Sequence, residues 1–452
     1  MNANINKSSL LKTFLQYSIP CILAMLLTSC ITVVDGMFIG WKLGGKGLAA
    51  VNLTIPVLYF LFGITIMVGV GGLTLAMHSL GGGDKPQADK RFTFTIVLNA
   101  VVNLIASVVL IAFRDEVIGF LNVEEELLPY VRDYLGIMSY FYIFIMMNIT
   151  IMMFIRGEGK PQLSLVFSII ANALNIVLDY LFIMRLGYGM KGAALATGIS
   201  VIVAFVLGMF YFARGKSVFK YCRITFDVED FKSIIFNGSS EFVGQISISI
   251  TTFLFNLVII RNIGVNGVAA YTIVGYISLL QYMVITGIMQ GIHPLISYSF
   301  GAKDREKIFR ILSIGIKAVL LVGAVAFVLS FGATEGIVRA FSHENTELMK
   351  IANYGIKIYS IAFFINGFNM VASAYFTSLG DAKTSMLISA LRSLIIINIL
   401  IFLLPVFLGD TGIWLTTPLT EAITFIVSYA FIRKSRARLF FADNCGGNTA
   451  KA

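Results

Sequence analysis

Charged residues are scarce in this chain. Asp, Glu, Lys and Arg make up 13% of its 452 residues, against roughly 25% in a soluble globular protein. Too little polar surface remains to cover several soluble domains, so lipid is the expected solvent. Cysteine is nearly absent as well. Cys21, Cys30, Cys222 and Cys445 show neither metal-ligand spacing nor a disulfide framework. Cys21 and Cys30 read as small packing residues inside a membrane span. Enzyme motifs are missing: there is no His-Glu-x-x-His and no Gly-x-Ser-x-Gly. Gly40-x-x-x-x-Gly45-Lys46 imitates a phosphate loop, but Gly47 stands where such a loop needs Ser or Thr. The first apolar run follows Lys7 and Lys12 with no small-residue cleavage site, so it reads as a span and not as a signal peptide.

What is present is hydrophobic length. Hydrophobic residues make up 58% of the chain and mean hydropathy is +0.87. Runs of about 20 apolar residues can cross a bilayer as helices. Twelve such spans are predicted: 14–38, 48–78, 92–113, 130–155, 162–186, 192–212, 232–260, 267–298, 308–330, 352–378, 384–408 and 412–432. The net charge of +10 falls in short clusters between these runs. It therefore does not form the basic face that nucleic-acid binding requires. The amino terminus, the even-numbered loops and the carboxyl terminus hold more than twice as many Lys and Arg as the odd-numbered loops. Both termini are thus expected on the cytoplasmic side.

The chain also repeats itself. Leu43-Gly44-x-x-Gly47-Leu48-Ala49-Ala50 returns as Ile263-Gly264-x-x-Gly267-Val268-Ala269-Ala270. Gly189-x-x-Gly192-x-x-Leu195-x-Thr197 returns as Gly409-x-x-Gly412-x-x-Leu415-x-Thr417. Both pairs lie 220 positions apart, and Gly82 pairs with Gly301 at 219. The expected architecture is an all-α integral membrane protein of twelve transmembrane helices in two pseudo-symmetric six-helix lobes. Residues 1–212 form the first lobe and 213–231 a cytoplasmic linker. Residues 232–435 form the second lobe and 436–452 a polar cytoplasmic tail. Each half has an even number of spans, so the two run in the same sense, about an axis along the membrane normal. Such repeats suit alternating access around a site between lobes. Duplication can also build a passive channel, which would show downhill flux without ion coupling.

Ionisable groups inside a membrane are costly, so each is a functional candidate. Asp35 lies near the outer end of span one and Asp179 in span five. Asn172, Asn175 and Asp179 share one helical face. Thr197 opens span six. At the helical rise, Asp35, Asp179 and Thr197 all fall roughly 8–10 Å below the outer surface. Two carboxylates, an amide and a hydroxyl at one depth can hold a proton or Na⁺, or can simply pin helices together. At the 220 offset Asp35 faces Phe255 and Asp179 faces Ile399, so this set belongs to the first lobe alone. The second lobe places Glu241, Arg392 and Glu421 at similar depths. They are expected to cluster, as a packing clamp or as a cation-attracting patch. Lys317 and Lys357 lie closer to span ends and can snorkel. His293-Pro294 in span eight reads as a kink.

Several elements in order resemble the multidrug and toxin extrusion (MATE) family, bacterial branch, over roughly residues 10–435. They are Pro20 with Val34-Asp35-Gly36-x-Phe38-Ile39-Gly40, then Gly47-Leu48-Ala49-Ala50. Next come Arg156-Gly157-x-Gly159-Lys160-Pro161, Asn175-x-x-x-Asp179, and Gly192-Ala193-Ala194-Leu195-Ala196-Thr197. The resemblance implies antiport at a bacterial cytoplasmic membrane. H⁺ or Na⁺ entry would drive export of amphipathic, often cationic compounds, with no other cofactor and with the chain acting as a monomer. By the same resemblance Asp35, Asn175, Asp179 and Thr197 match the family's cation site. There are departures. Asn366 stands where some Na⁺-coupled members carry an acid, and His293 where the family often has Gln. Glu241 roughly matches an acid found in span seven of some members. Related families with this fold flip lipid-linked saccharides, but they would want a cationic groove for diphosphate where this chain places acids.

Overall fold

In lipid every backbone N–H and C=O must be satisfied within the segment, and helices do this. The computed structural model describes residues 7–224, 226–341 and 346–446, and among these there are helices and no strand. Among the described residues, ten helices are long and apolar enough to cross a bilayer. Thr346–Tyr359 and Ile361–Ser378, bent by 44° at their junction, together make an eleventh crossing. The twelfth lies inside the first helix. Lys7–Gly81 has 75 residues, about 110 Å at the α-helical rise, against a hydrocarbon core of about 30 Å. It breaks at Gly44 (φ 67°, ψ −159°), and the two halves are spans one and two.

The remaining spans are Lys85–Ala112, Leu128–Gly157, Pro161–Asp179 continued by a π turn Tyr180–Arg185, and Gly189–Ala213. Then come Val228–Asn262, Val265–Gly301, Arg305–Gly332, the bent pair, Ala382–Leu408 and Asp410–Gly446. Two short helices, Arg114–Phe120 and Thr334–Phe341, cap loops that the sequence leaves irregular.

The repeat has a backbone basis. Gly44 and Gly264, 220 apart, adopt nearly the same conformation: φ 67° and ψ −159° against φ 83° and ψ −162°. Any side chain would be strained there, because positive φ sets a Cβ against the following carbonyl. Asp84 and Asp304, also 220 apart, cap the next helices by accepting from Gln87 N and Lys307 N, each at 3.0 Å. Such caps are each worth about 1 kcal/mol.

Two compact units emerge. One holds residues 16–238; the other holds 239–452 together with the residues before 16. The first therefore contains the expected linker and the opening turns of span seven. The segment 214–224 is irregular, and span seven starts as a helix at Val228. The last helix runs on through Gly446, so residues 436–446 of the expected tail are helical. Residues 447–452 lie outside the described residues. Cys21 is buried, but Cys30 is exposed and fills no packing position. The stretch that imitates a phosphate loop is helix up to the break at Gly44.

Candidate functional site

Span five delivers Asp179 at the end of its α-helical part. There the hydrogen bonding slips by one residue into the π turn Tyr180–Arg185, which closes with Leu186 N donating to Leu181 O at 2.9 Å. Single π turns recur at functional positions because they re-aim the side chains beside them. A tight turn with positive φ at Gly187 and Gly189 then sends the chain back as span six, carrying Thr197. Span one supplies Asp35. The Asp35 carboxyl lies within electrostatic range of Asp179 and close to the Thr197 hydroxyl, with no hydrogen bond formed between them among the described residues. Asp179 is fully buried and Asn175, one turn earlier, is buried as well. The structure thus brings together Asp35, Asp179 and Thr197, with Asn175 on the turn beside them.

The group is poorly satisfied. Asp35 Oδ1, both oxygens of Asp179, Asn175 Nδ2 and Asn172 Nδ2 are buried without a hydrogen-bond partner among the described residues. Neither carboxyl forms an ion pair among the described residues. Buried polar atoms are nearly always paired. Two carboxylates facing each other in low dielectric cannot both stay ionised without a counter-charge. A shared proton or a small hard cation supplies it, and hard oxygen ligands suit Na⁺ as well as H⁺.

Sequence reasoning missed one neighbour. Tyr134 in span four lies within electrostatic range of both Asp35 and Asp179. Around these residues sits an apolar cluster: Ile39, Ile118, Val131, Leu135, Ile183, Met190 and Ala193. Ile39 and Ile183 follow Asp35 and Asp179 by four positions, and Ala193 precedes Thr197 by four. The cluster therefore packs over the polar group at the predicted outer end of the same helices. Water reaching the carboxyls from that end would have to part these side chains.

In the second unit the expected three-residue cluster reduces to a pair. Arg392 Nε donates to Glu421 Oε1 at 2.8 Å. Asn369, in span ten, donates to the other carboxylate oxygen at 2.7 Å and to the Glu421 carbonyl at 2.9 Å. Glu421 is thus satisfied on both oxygens. Arg392 rides on a second π turn, Leu391–Ile395. Glu241 does not join them: it is half-buried and forms no ion pair or hydrogen bond among the described residues. Depth along the helix matched the three groups in height but not in direction. Asn366 donates to Gln281 Oε1 at 3.0 Å, and Gln281 donates to Phe363 O at 2.8 Å, so amides fill the place of the acid in span ten. His293 is buried beside Pro294.

Comparison with known proteins agrees with this geometry. The MatE family profile matches residues 20–181 and 242–403, once in each half. The multidrug export protein MepA of Staphylococcus saprophyticus is 25% identical over 439 residues, covering 96% of each chain. Among solved structures, the Vibrio cholerae MATE transporter VcmN superposes with a TM-score of 0.90 at 21% identity, covering 96% of this chain and 99% of that one. A MOP superfamily transporter from Pyrococcus furiosus superposes at 0.88 and 22% identity, covering 95% and 96%. With the profile found in both halves over most of the chain, and the twelve-span fold around it, the protein belongs to the multidrug and toxin extrusion (MATE) family of membrane transporters.

Proposed function

We propose that this chain is a secondary active multidrug exporter, driven by H⁺ or Na⁺ moving inward through the Asp35–Asp179 site. It acts as a monomer in a bacterial cytoplasmic membrane and exports small amphipathic compounds, organic cations among them. The MepA proteins it resembles over nearly their whole length are named as multidrug export proteins. One observation carries the coupling role: the half-buried Asp35 and the buried Asp179 stand together with three carboxyl oxygens that have no hydrogen-bond partner among the described residues. Binding a proton or Na⁺ there relieves repulsion and unmet hydrogen bonds together, so the ion's presence changes which conformation is stable. A ligand shifts such an equilibrium only by its differential affinity for the two states. A site that is badly satisfied without its ion has that differential built in. Asp35 and Asp179 hold the ion, Thr197 and Asn175 add neutral polar contacts, and Tyr134 stands by as a donor.

The test is uptake of a fluorescent organic cation into inside-out proteoliposomes. An acidic lumen or a Na⁺-rich lumen is imposed separately. Gradient-driven uptake is expected, and it disappears in Asp35→Asn and in Asp179→Asn while both variants remain folded. The gradient that works identifies the ion. Full gradient-driven transport by both variants would remove this site from the mechanism.

A further inference from the structure

The expected linker between the halves, which belongs to the first unit, is not a slack tether. Residues 214–224 are strapped to the cytoplasmic ends of the first unit's helices. Ser217 Oγ donates to Glu158 at 2.5 Å and Val218 N donates to the same carboxylate at 2.9 Å. Lys220 N donates to Asp89 at 2.8 Å, and Cys222 N to the Thr93 hydroxyl at 3.1 Å. Phe219 is buried, stacked 5.3 Å from Phe92 and edge-on to Phe154. The strap turns and bends, and burial alternates along residues 216–220. Ser217 and Phe219 point into the protein, whereas Lys216, Val218 and Lys220 point out.

The outward face has an unusual make-up. Lys216, Lys220 and Arg223 are exposed, and their side chains have no ion pair or hydrogen bond among the described residues. No acidic residue occurs between Arg214 and Phe226. Among the cations stand apolar side chains that are also exposed: Val218 at 38%, Ile224 at 52% and Phe226 at 69%. A purely solvated linker has no use for that apolar surface. The strap lies between the cytoplasmic ends of spans six and seven, at headgroup level by topology.

We infer that this face is a binding surface for anionic phospholipid headgroups of the cytoplasmic leaflet. Lys216, Lys220 and Arg223 take the phosphates, and Val218, Ile224 and Phe226 enter the acyl boundary. Basic residues next to apolar ones are the combination that binds anionic interfaces. A soluble phosphate would meet the cations but leave the apolar side chains in water. The ordered backbone means that little conformational freedom is lost on binding.

The test reads lipid retention and needs no transport. Full-length protein is reconstituted into nanodiscs of mixed phosphatidylcholine and phosphatidylglycerol, and retained lipid is quantified after detergent exchange. Wild type should enrich phosphatidylglycerol, and salt should reverse the enrichment. Each basic residue is worth about fivefold at an anionic surface, so K216Q/K220Q/R223Q should lower the affinity by on the order of 100-fold. I224S/F226S should lower it with the charges intact. An equal loss in K303Q/K383Q/K434Q, which removes three other cytoplasmic charges, would reduce the effect to net charge and overturn the assignment. So would retention unchanged by salt, or competition by inorganic phosphate at matched phosphate concentration.

Discussion

The Arg392–Glu421 pair makes an asymmetric prediction. Its two side chains differ in burial: Arg392 is 25% exposed and Glu421 only 5%. Replacing Arg392 by Met removes the exposed partner and strands the buried one. Glu421 then keeps a single donor, Asn369. Losing one partner of a buried pair costs about 3–5 kcal/mol, and the partial exposure here points to the lower end, about 3. Replacing Glu421 by Gln leaves Arg392 where water can still reach it, and an amide oxygen remains to accept from it. That change should cost about 1–2 kcal/mol. The double variant has no buried charge left, and should lose about 1 kcal/mol because Met and Gln pack in similar volume. The single losses would sum to about 4–5 kcal/mol, so a coupling of about 3 kcal/mol is expected, well beyond the few tenths seen for independent sites. Reversible unfolding in mixed micelles of the four proteins reads all three numbers. Additive losses, or a Glu421→Gln variant less stable than Arg392→Met, would refute the reasoning.

Other outcomes follow from packing and from the strap. A Cβ on Gly238 would lie 1.8 Å from the Met67 carbonyl oxygen, whereas one on Gly244 of the same helix meets nothing within 4 Å. Gly238→Ala should therefore cost about 1–3 kcal/mol. Gly244→Ala should gain up to about 1 kcal/mol from helix propensity, and thermal melts distinguish the two. Glu158 also accepts from the Tyr211 hydroxyl, so Glu158→Gln weakens three contacts. Losing charge-assisted bonds of about 1.5–3 kcal/mol should speed hydrogen exchange at the Val218 amide by tenfold or more. Unchanged exchange there would mean that Glu158 does not hold the strap. Thr65 donates to Asn103 Oδ1 at 2.8 Å, and Asn99 donates to Thr150 at 2.9 Å, all of them buried. Thr65→Val strands the Asn103 oxygen and should cost about 1–3 kcal/mol, measured by unfolding, with transport retained.

Helical spans were readable because lipid leaves a segment no other way to satisfy its backbone, and their lengths follow from bilayer thickness. The repeat was readable because Gly44 and Gly264 occupy a conformation that excludes side chains. The π turns at 180–185 and 391–395 leave no mark in sequence, since a hydrogen-bond slip inside an apolar run changes no residue type. Tyr134 was passed over because an aromatic ring in a span ordinarily packs against other side chains. Asn369 carried a signal that was not used: it stands three positions after Asn366, so span ten shows two amides on neighbouring faces. The strap carried one too, in the alternation of Ser217 and Phe219 with Lys216, Val218 and Lys220.

Glu241 shows where depth reasoning stops. Counting residues along a span gives height in the membrane, and nothing in that count gives the direction a side chain faces around the helix axis. Direction becomes predictable when two spans are joined tightly, because the turn fixes which faces meet. Asp179 and Thr197 are linked through Gly187 and Gly189, and Arg392 and Glu421 through Gly409, all glycines with positive φ. Both pairs share one neighbourhood in the structure. Asp35 is distant in sequence from Asp179, and equal depth together with the motif around it tied the two. Glu241 had no tight turn and only a rough match to an acid in span seven, and it forms no ion pair with Arg392 among the described residues. An acid placed by depth alone is therefore a candidate for height only. Its partners need a short connection or an independent motif before they can be named.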